Sequence, residues 1–363
     1  MDTLELLPLL EQLVALQGSD LFLTVGAPPH VKVRGVSRPL PLPPLRSGEP
    51  KLLAYSVMTD KQVQTFESQL ECNLGIGAGG LGRFRINVYQ QRGETALVAR
   101  YIREQLADFS ELGLPPAVAE LASLRRGLVL VVGAAGSGKS TSLAAMVDYR
   151  ARSESGHILT VEDPIEFLFH HRLATVDQRE VGIDTWSFAE ALRNAMRQAP
   201  DMIMIGEIRD RETMQQALTY ADTGHLCLST LHANNANQAI KRILNFFPET
   251  AHAQLLMDLS LNLQGVVSQR LIKTRDGSLV LATETMLHSA YIADLILKGA
   301  IDELKPAIAK SVEVGMHTFD QSLFDLYRTG RIDQETALRH ADSRTDLGLR
   351  MKLELPRGPD RAP

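Results

Sequence analysis

Residues Gly133, Ala134, Ala135, Gly136, Ser137, Gly138, Lys139, Ser140 and Thr141 form the spacing G-x-x-x-x-G-K-S-T, and the apolar run Leu128–Val132 leads straight into it. Glycines in such a loop have no Cβ and tolerate positive φ, so the backbone can wrap closely around a phosphate group. Successive N–H groups then form an anion-binding nest, and the following helix adds its positive N-terminal end. Lys139 would supply a point charge to the β- and γ-phosphates, and Ser140 a hydroxyl to Mg2+. The strand before the loop and the helix expected after it separate this pattern from a chance glycine turn. The ligand class it implies is a nucleoside triphosphate, ATP with Mg2+.

More chemistry-bearing residues follow at the ends of later apolar runs. Ile158–Val161 leads into Glu162, Asp163, Pro164, Ile165 and Glu166, which puts three carboxylates within five residues. Carboxylates beside a buried strand are costly unless they face a cation or polarise water. A solvated acidic turn is the plainer alternative. Met202–Ile205 leads into Gly206 and Glu207, the order of a Walker B segment, so Glu207 is expected beside the metal or its waters. A helix-start acid that only complements the dipole is the alternative there. His225 and His232 bracket Leu226–Leu231. They fit γ-phosphate sensing better than zinc, because an extended strand of that length would hold them about 20 Å apart.

These side chains need a scaffold, and the patterning supplies one. Leu128–Val132, Ile158–Val161, Met202–Ile205 and Leu226–Leu231 are short and continuously apolar, as strands of a parallel sheet buried on both faces must be. Helices are expected between them, over 188–198 and 213–221. The resulting α/β domain would hold ligands at the carboxyl ends of its strands. Upstream lies a small α+β region. It has a leucine-spaced helix over 2–17 with a capping box at Asp2 and Glu5, strands over 20–25 and 30–34, and a proline-rich loop over 39–50. A helix to about Leu70 and a hairpin of 84–90 with 95–102 complete it. Residues 249 onward read as mostly helical, with one hairpin near 279–287. The expected organisation is an N-terminal domain over 1–110, a linker over 111–117, an ATPase core over 118–290, a helical region over 291–350 and a disordered tail over 351–363.

The bulk numbers exclude several classes. The chain has 363 residues, 44 % hydrophobic and 22 % charged, with a net charge of −5. That is an ordinary globular composition and argues against a nucleic-acid binder, which usually carries a basic domain. No apolar stretch reaches the roughly 18 residues a bilayer span requires. The acidic, amphipathic N-terminus does not read as a secretory signal. Cys72 and Cys227, the two cysteines present, make neither a disulfide framework nor a four-cysteine zinc site.

Taken together, the blocks GAAGSGKST (133–141), TVEDPIE (160–166), MIMIGEIRDRET (202–213) and GHLCLSTLH (224–232) resemble the Walker A, Asp box, Walker B and His box of the secretion and type IV pilus ATPases. The resemblance spans almost the whole chain. It is nearest to the twitching-motility PilT and PilU types, and Cys227, HANNANQA (232–239) and NFFP (245–248) lean toward the PilU type. It implies a PAS-like N-terminal domain, a RecA-like motor domain and a homohexameric ring in the cytoplasm, peripheral to the inner membrane. It also implies Glu166 as the base that activates water, Glu207 as organiser of Mg2+ and water, and arginines of the N-terminal domain that reach the nucleotide. Arg85 and Arg100 are the matching positions, with Arg83 a third. A surface charge on a strand is the alternative for any of them. The implied partners are a PilT-type retraction ATPase and the inner-membrane pilus platform protein.

One segment departs from the pattern. PilT-type members carry AIRNLIRE near the C-terminus, tied to retraction, whereas this chain reads IADLILKGAIDELK over 292–305. The apolar spacing survives and the central Arg-Asn and terminal Arg-Glu do not, which fits an accessory motor. The competing expectations are a pilus-extension or secretion ATPase, a ring subunit that binds ATP with little turnover, and a RecA-like nucleic-acid translocase.

Overall fold

The computed structural model describes residues 5–102 and 106–354. The chain forms two compact units, one of residues 1–105 with 165–168 and 180–186, the other of the remainder.

The first unit is built on an antiparallel sheet. Its strands are β1 (Asp20–Leu23), β2 (His30–Val33), β3 (Val36–Pro39), β4 (Glu71–Ala78), β5 (Gly82–Gln91) and β6 (Glu94–Ile102), in the order β3-β2-β1-β6-β5-β4. Helix Leu6–Ala15 buries Leu6, Leu9, Leu10 and Leu13, the i, i+3, i+4, i+7 set of one helix face. Glu5 occupies the cap position without a side-chain bond, and Asp2, the other half of the expected capping box, lies outside the described residues. The single helix expected up to Leu70 is two, Glu49–Tyr55 and Asp60–Gln69. Thr59 divides them, because its hydroxyl and Gln62 form a capping box that starts a new helix. The core joins the helix leucines to Leu21, Leu23, Leu74, Phe84, Ile86 and Val88.

The second unit holds a larger sheet. Its strands are β7 (Gly127–Gly133), β8 (Gly156–Glu162), β9 (Ala174–Glu180), β10 (Met202–Ile205), β11 (Leu226–Leu231), β12 (Leu263–Lys273) and β13 (Leu279–Leu287), in the order β13-β12-β7-β11-β10-β8-β9. Strands β8, β10, β11, β7 and β12 run parallel in neighbouring pairs, and β13 closes antiparallel on β12. The carboxyl ends of β7, β11, β10 and β8 therefore share one edge. Every residue of β7, β10 and β11 is buried. The four expected apolar strands are all present.

Several expectations shift. The stretch after 249 is less helical than expected, since β12 precedes β13 as its hairpin partner. Of the expected linker over 111–117, residues 111–112 and 116–117 lie in helices Phe109–Leu112 and Pro116–Ala122, which leaves 113–115 between them. Helix Arg344–Glu354 runs through 351–354 and buries Met351, so those residues are not a tail. Residues 355–363 lie outside the described residues.

Candidate nucleotide site

The loop between β7 and helix Lys139–Ser153 has the conformation its glycines allow. Gly136 and Gly138 both adopt left-handed φ, at 74° and 88°. Gly133 is required for space instead. A Cβ there would lie 2.3 Å from Ser137 Oγ and 2.7 Å from the Gln269 carbonyl of β12. Lys139 is buried under the loop and donates to the carbonyls of Gly133 at 3.0 Å and Ala134 at 2.9 Å. Ala134, Ala135 and Gly136 form an exposed crown, while Ser140 and Thr141 are half-buried. Gln269 supports the loop from β12, and its Nε2 donates to Ser142 Oγ at 2.7 Å.

These residues fit a phosphate group. The Ser137 hydroxyl is buried in the loop with no hydrogen-bond partner in the protein, a donor that a phosphate oxygen would satisfy. Among the described residues no cluster of three or more His, Cys, Asp or Glu could cage a metal. Mg2+ keeps most of its waters and borrows phosphate oxygens, so a hydroxyl and a carboxylate are what it needs from a protein. Ser140 and Glu207 are of that type.

Beside the loop, the ends of β8, β10 and β11 form one polar chain. Glu207 Oε1 is 3.0 Å from His232 Nε2, and Glu207 Oε2 accepts from Arg209 Nε at 2.7 Å. Arg209 also reaches Asp163 at 3.5 Å. Its guanidinium is held above its usual pKa, chiefly by the hydrogen bond to Glu207. Backbone geometry places this chain. Gly206 N–H bonds the Val161 carbonyl of β8 at 2.8 Å, and Ile208 N–H bonds the Thr230 carbonyl of β11 at 2.9 Å. The Thr230 hydroxyl closes on the Gly206 carbonyl at 2.7 Å. Glu162 is buried and accepts from Thr160 Oγ1 at 2.7 Å and Gln178 Nε2 at 3.1 Å.

The two histidines separate. His232 reaches Glu207, but His225 lies at the amino end of β11, where its carbonyl accepts from Gly127 N–H at the start of β7. Its ring meets Thr223 Oγ1 at 3.1 Å and the edge of Tyr220. Six strand residues, about 20 Å, stand between the two histidines. The expected histidine pair is thus reduced to His232 at this edge. Glu166 is exposed and belongs to the first unit.

In the first unit, Asp20, Arg100, Arg85 and Gly75 are successive cross-strand neighbours over β1, β6, β5 and β4. Arg100 Nε donates to Asp20 Oδ1 at 2.8 Å. Arg85 and Arg83 each lie 3.7 Å from the carboxylate of Glu180, whose side chain is 1 % exposed. Burial pushes the Glu180 carboxyl up, against the pull of Arg85 and Arg83. Arg83 and Arg85 are equally exposed and share one partner, so geometry does not rank them. Sequence reasoning missed Asp20, Glu180 and Arg209. Only Arg209 left a signal, two residues after Glu207.

Comparison with known proteins matches this arrangement to one family. The model described as T2SSE, type II/IV secretion system protein, matches residues 54–290. The type IV pilus ATPase PilU of Pseudomonas aeruginosa is 51 % identical, over 95 % of this chain and 91 % of that one. The PilT protein of the same organism, described as a type IV pilus retraction ATPase, is 42 % identical, over 89 % of this chain and 94 % of that one. A crystal structure of the pilus retraction motor PilT with bound ADP superposes with a TM-score of 0.88 at 41 % identity, covering 95 % of this chain and 99 % of that one. Among the described residues no helix is long and apolar enough to cross a membrane.

Proposed function

The chain belongs to the type II/IV secretion system protein family, and from that premise we propose that it is an ATP-hydrolysing motor of a type IV pilus. In this reading it works in retraction, in the cytoplasm, as a PilU-type accessory to a PilT-type ATPase. The observation that carries the ATPase reading is the edge shared by the Gly133–Thr141 loop and the Asp163–Arg209–Glu207–His232 chain. Full-length similarity to PilU and PilT supports the pilus assignment. The altered segment over 292–305 supports the accessory role.

Each residue then has a task. The loop backbone and Lys139 bind and orient the phosphates. Mg2+, held by Ser140 and through water by Glu207, would neutralise charge on the β- and γ-phosphate oxygens. His232, held by Glu207, senses the γ-phosphate. Glu166 draws the proton from the attacking water. Arg85 and Arg100 meet the developing negative charge from a neighbouring subunit of a homohexamer, where a fixed guanidinium charge is most useful. The platform protein of the inner membrane receives the motion.

The test joins biochemistry to motility. Purified protein should hydrolyse ATP as a hexamer, with higher turnover when a PilT-type partner is added. Cells lacking the gene should retract pili with less force under load. Normal force in those cells, or loss of pili altogether, would refute the retraction role.

A further inference from the structure

Strand β13 carries a carboxylate that the phosphate-binding elements do not use. Glu284 is 1 % exposed and lies directly across the ladder from Ser268 of β12. Its Oε1 accepts the backbone N–H of Ala236 at 3.0 Å. Its Oε2 and the Ser268 hydroxyl are both buried without a hydrogen-bond partner in the protein. A buried carboxylate with half its capacity unmet is a destabilising choice. An apolar side chain of similar volume would fill the same space without that penalty. A residue placed against stability in this way points to a task in the working site.

Its position identifies the task. Ala236 is the first residue of helix Ala236–Asn245, and residues 232–235 join that helix to β11. His232, at the start of this connection, makes the 3.0 Å contact with Glu207. The other bonds along the connection are local. Asn234 N–H reaches Gln238 Oε1 at 3.3 Å, Asn235 Oδ1 accepts from Gln238 N–H at 2.9 Å, and Ala233 N–H bonds the Leu231 carbonyl at 3.1 Å. Glu284 differs, because it ties the helix start to a strand on the far side of β12 and β7. A carboxylate there also meets the positive end of a ten-residue helix.

We infer that Glu284 is a positioning residue, which holds the connection after β11 in register through the Ala236 amide and so keeps His232 on Glu207. This rests on the reading of His232 and Glu207 as part of the ATP site. The ionised carboxylate is the stronger acceptor. Burial pushes its pKa up to about 7, with Asp342 adding to the rise and the Ala236 amide, Lys305 and Arg270 opposing it. Lys305 and Arg270 are themselves bonded to Asp342, at 2.8 and 2.7 Å. The hold on Ala236 therefore strengthens as pH rises through neutrality.

The experiment compares full-length wild type, Glu284→Ala, Glu284→Gln and His232→Ala. It measures steady-state turnover across pH and the Kd of a non-hydrolysable ATP analogue. Glu284→Ala should lower kcat about tenfold, the equivalent of one lost charge-assisted hydrogen bond. Its Kd should stay within about twofold of wild type, since the phosphate cradle is untouched. Glu284→Gln keeps an acceptor without the charge, so its kcat should fall between the two. Wild-type kcat should rise with pH near 7, and that limb should be absent from Glu284→Gln. A parallel loss of Kd and kcat, unchanged kcat in both Glu284 variants, or the same pH limb in Glu284→Gln would overturn the proposal. If Glu284→Ala does not fold, the pH profile of Glu284→Gln decides alone. If His232→Ala slows turnover and the Glu284 variants do not, the positioning role fails while the site reading stands. If His232→Ala itself has no effect, both fail.

Discussion

Replacing Gly133 with alanine tests whether the loop depends on close contact with β12. The residue does not have a left-handed φ, so the substitution introduces no dihedral strain of its own. The new Cβ would meet Ser137 Oγ at 2.3 Å and the Gln269 carbonyl at 2.7 Å. The serine hydroxyl can rotate away, but the carbonyl is part of the β7–β12 ladder. Relief requires the loop or the strand to move by several tenths of an ångström. Overpacking of this kind costs about 1–3 kcal/mol, which lowers Tm by about 2–4 °C per kcal/mol in a domain of this size. The functional loss should be larger, because positioning elements are sensitive to shifts on this scale, about 100-fold in rate for a full 1 Å. Gly265→Ala is the matched control. It also crowds β12, with a Cβ 2.8 Å from both methyls of Leu121 and 3.3 Å from the Met286 carbonyl, but four residues before Gln269 and away from the loop. Thermal melts and ATP-analogue titration of both variants decide the matter. The expected result is comparable melting for the pair, with nucleotide binding and turnover lost only in Gly133→Ala. Equal loss of binding in both variants, or normal binding in Gly133→Ala, would refute the reasoning.

Three further outcomes are expected. Glu166→Gln should retain ATP and lose turnover, read by nucleotide content and phosphate release; normal hydrolysis would shift the base to Glu162. Arg100→Ala should lower turnover only in the assembled ring, while Asp20→Asn, which removes the charge of a buried carboxylate but keeps an acceptor for the 65 % exposed arginine, should change stability less than Asp20→Ala in urea melts, because only alanine leaves Arg100 without an acceptor there. The raised Glu284 carboxyl makes the fold hold a proton that the unfolded chain has released. Its contribution is therefore present below the usual 4.5 and lost as pH rises to about 7, a difference of about 3 kcal/mol. Urea melts should flatten across that window in Glu284→Gln and show the variant more stable than wild type at pH 8; an unchanged slope would contradict the linkage.

What could be read in the sequence divides along physical lines. The central parallel strands were legible because burial on both faces forces continuous apolar runs, and Met202–Ile205 and Leu226–Leu231 carry no competing signal. Strands β3, β4, β9 and β12 were not. β3 is exposed at all four residues, β4 is interrupted by Gly75 and Gly77, β9 alternates polar residues, and β12 mixes Gln264, Ser268, Gln269 and Arg270 into its core run. The nucleotide loop was readable because its chemistry is contiguous. The partners of its neighbours were not, because Asp163 to Arg209, Arg85 to Glu180 and Ala236 to Glu284 are contacts made by topology alone. His225 and His232 were read about 20 Å apart, and they stand at opposite ends of β11, so His232 alone of the two reaches Glu207.

The pairing of Arg83 and Arg85 with Glu180 has a consequence in protons. Burial raises the Glu180 carboxyl, and Arg85, the Ile165 backbone amide and Arg83 act against that rise. If either arginine turns to another anion, the carboxyl is left more isolated and its affinity for a proton rises. Arginine engagement is then an exchange, one salt bridge for another, that shifts Glu180 toward its protonated form. In the proposed ring, an arginine that leaves Glu180 for the nucleotide would make the binding heat depend on the ionisation enthalpy of the buffer, and a heat equal in all buffers would count against that exchange.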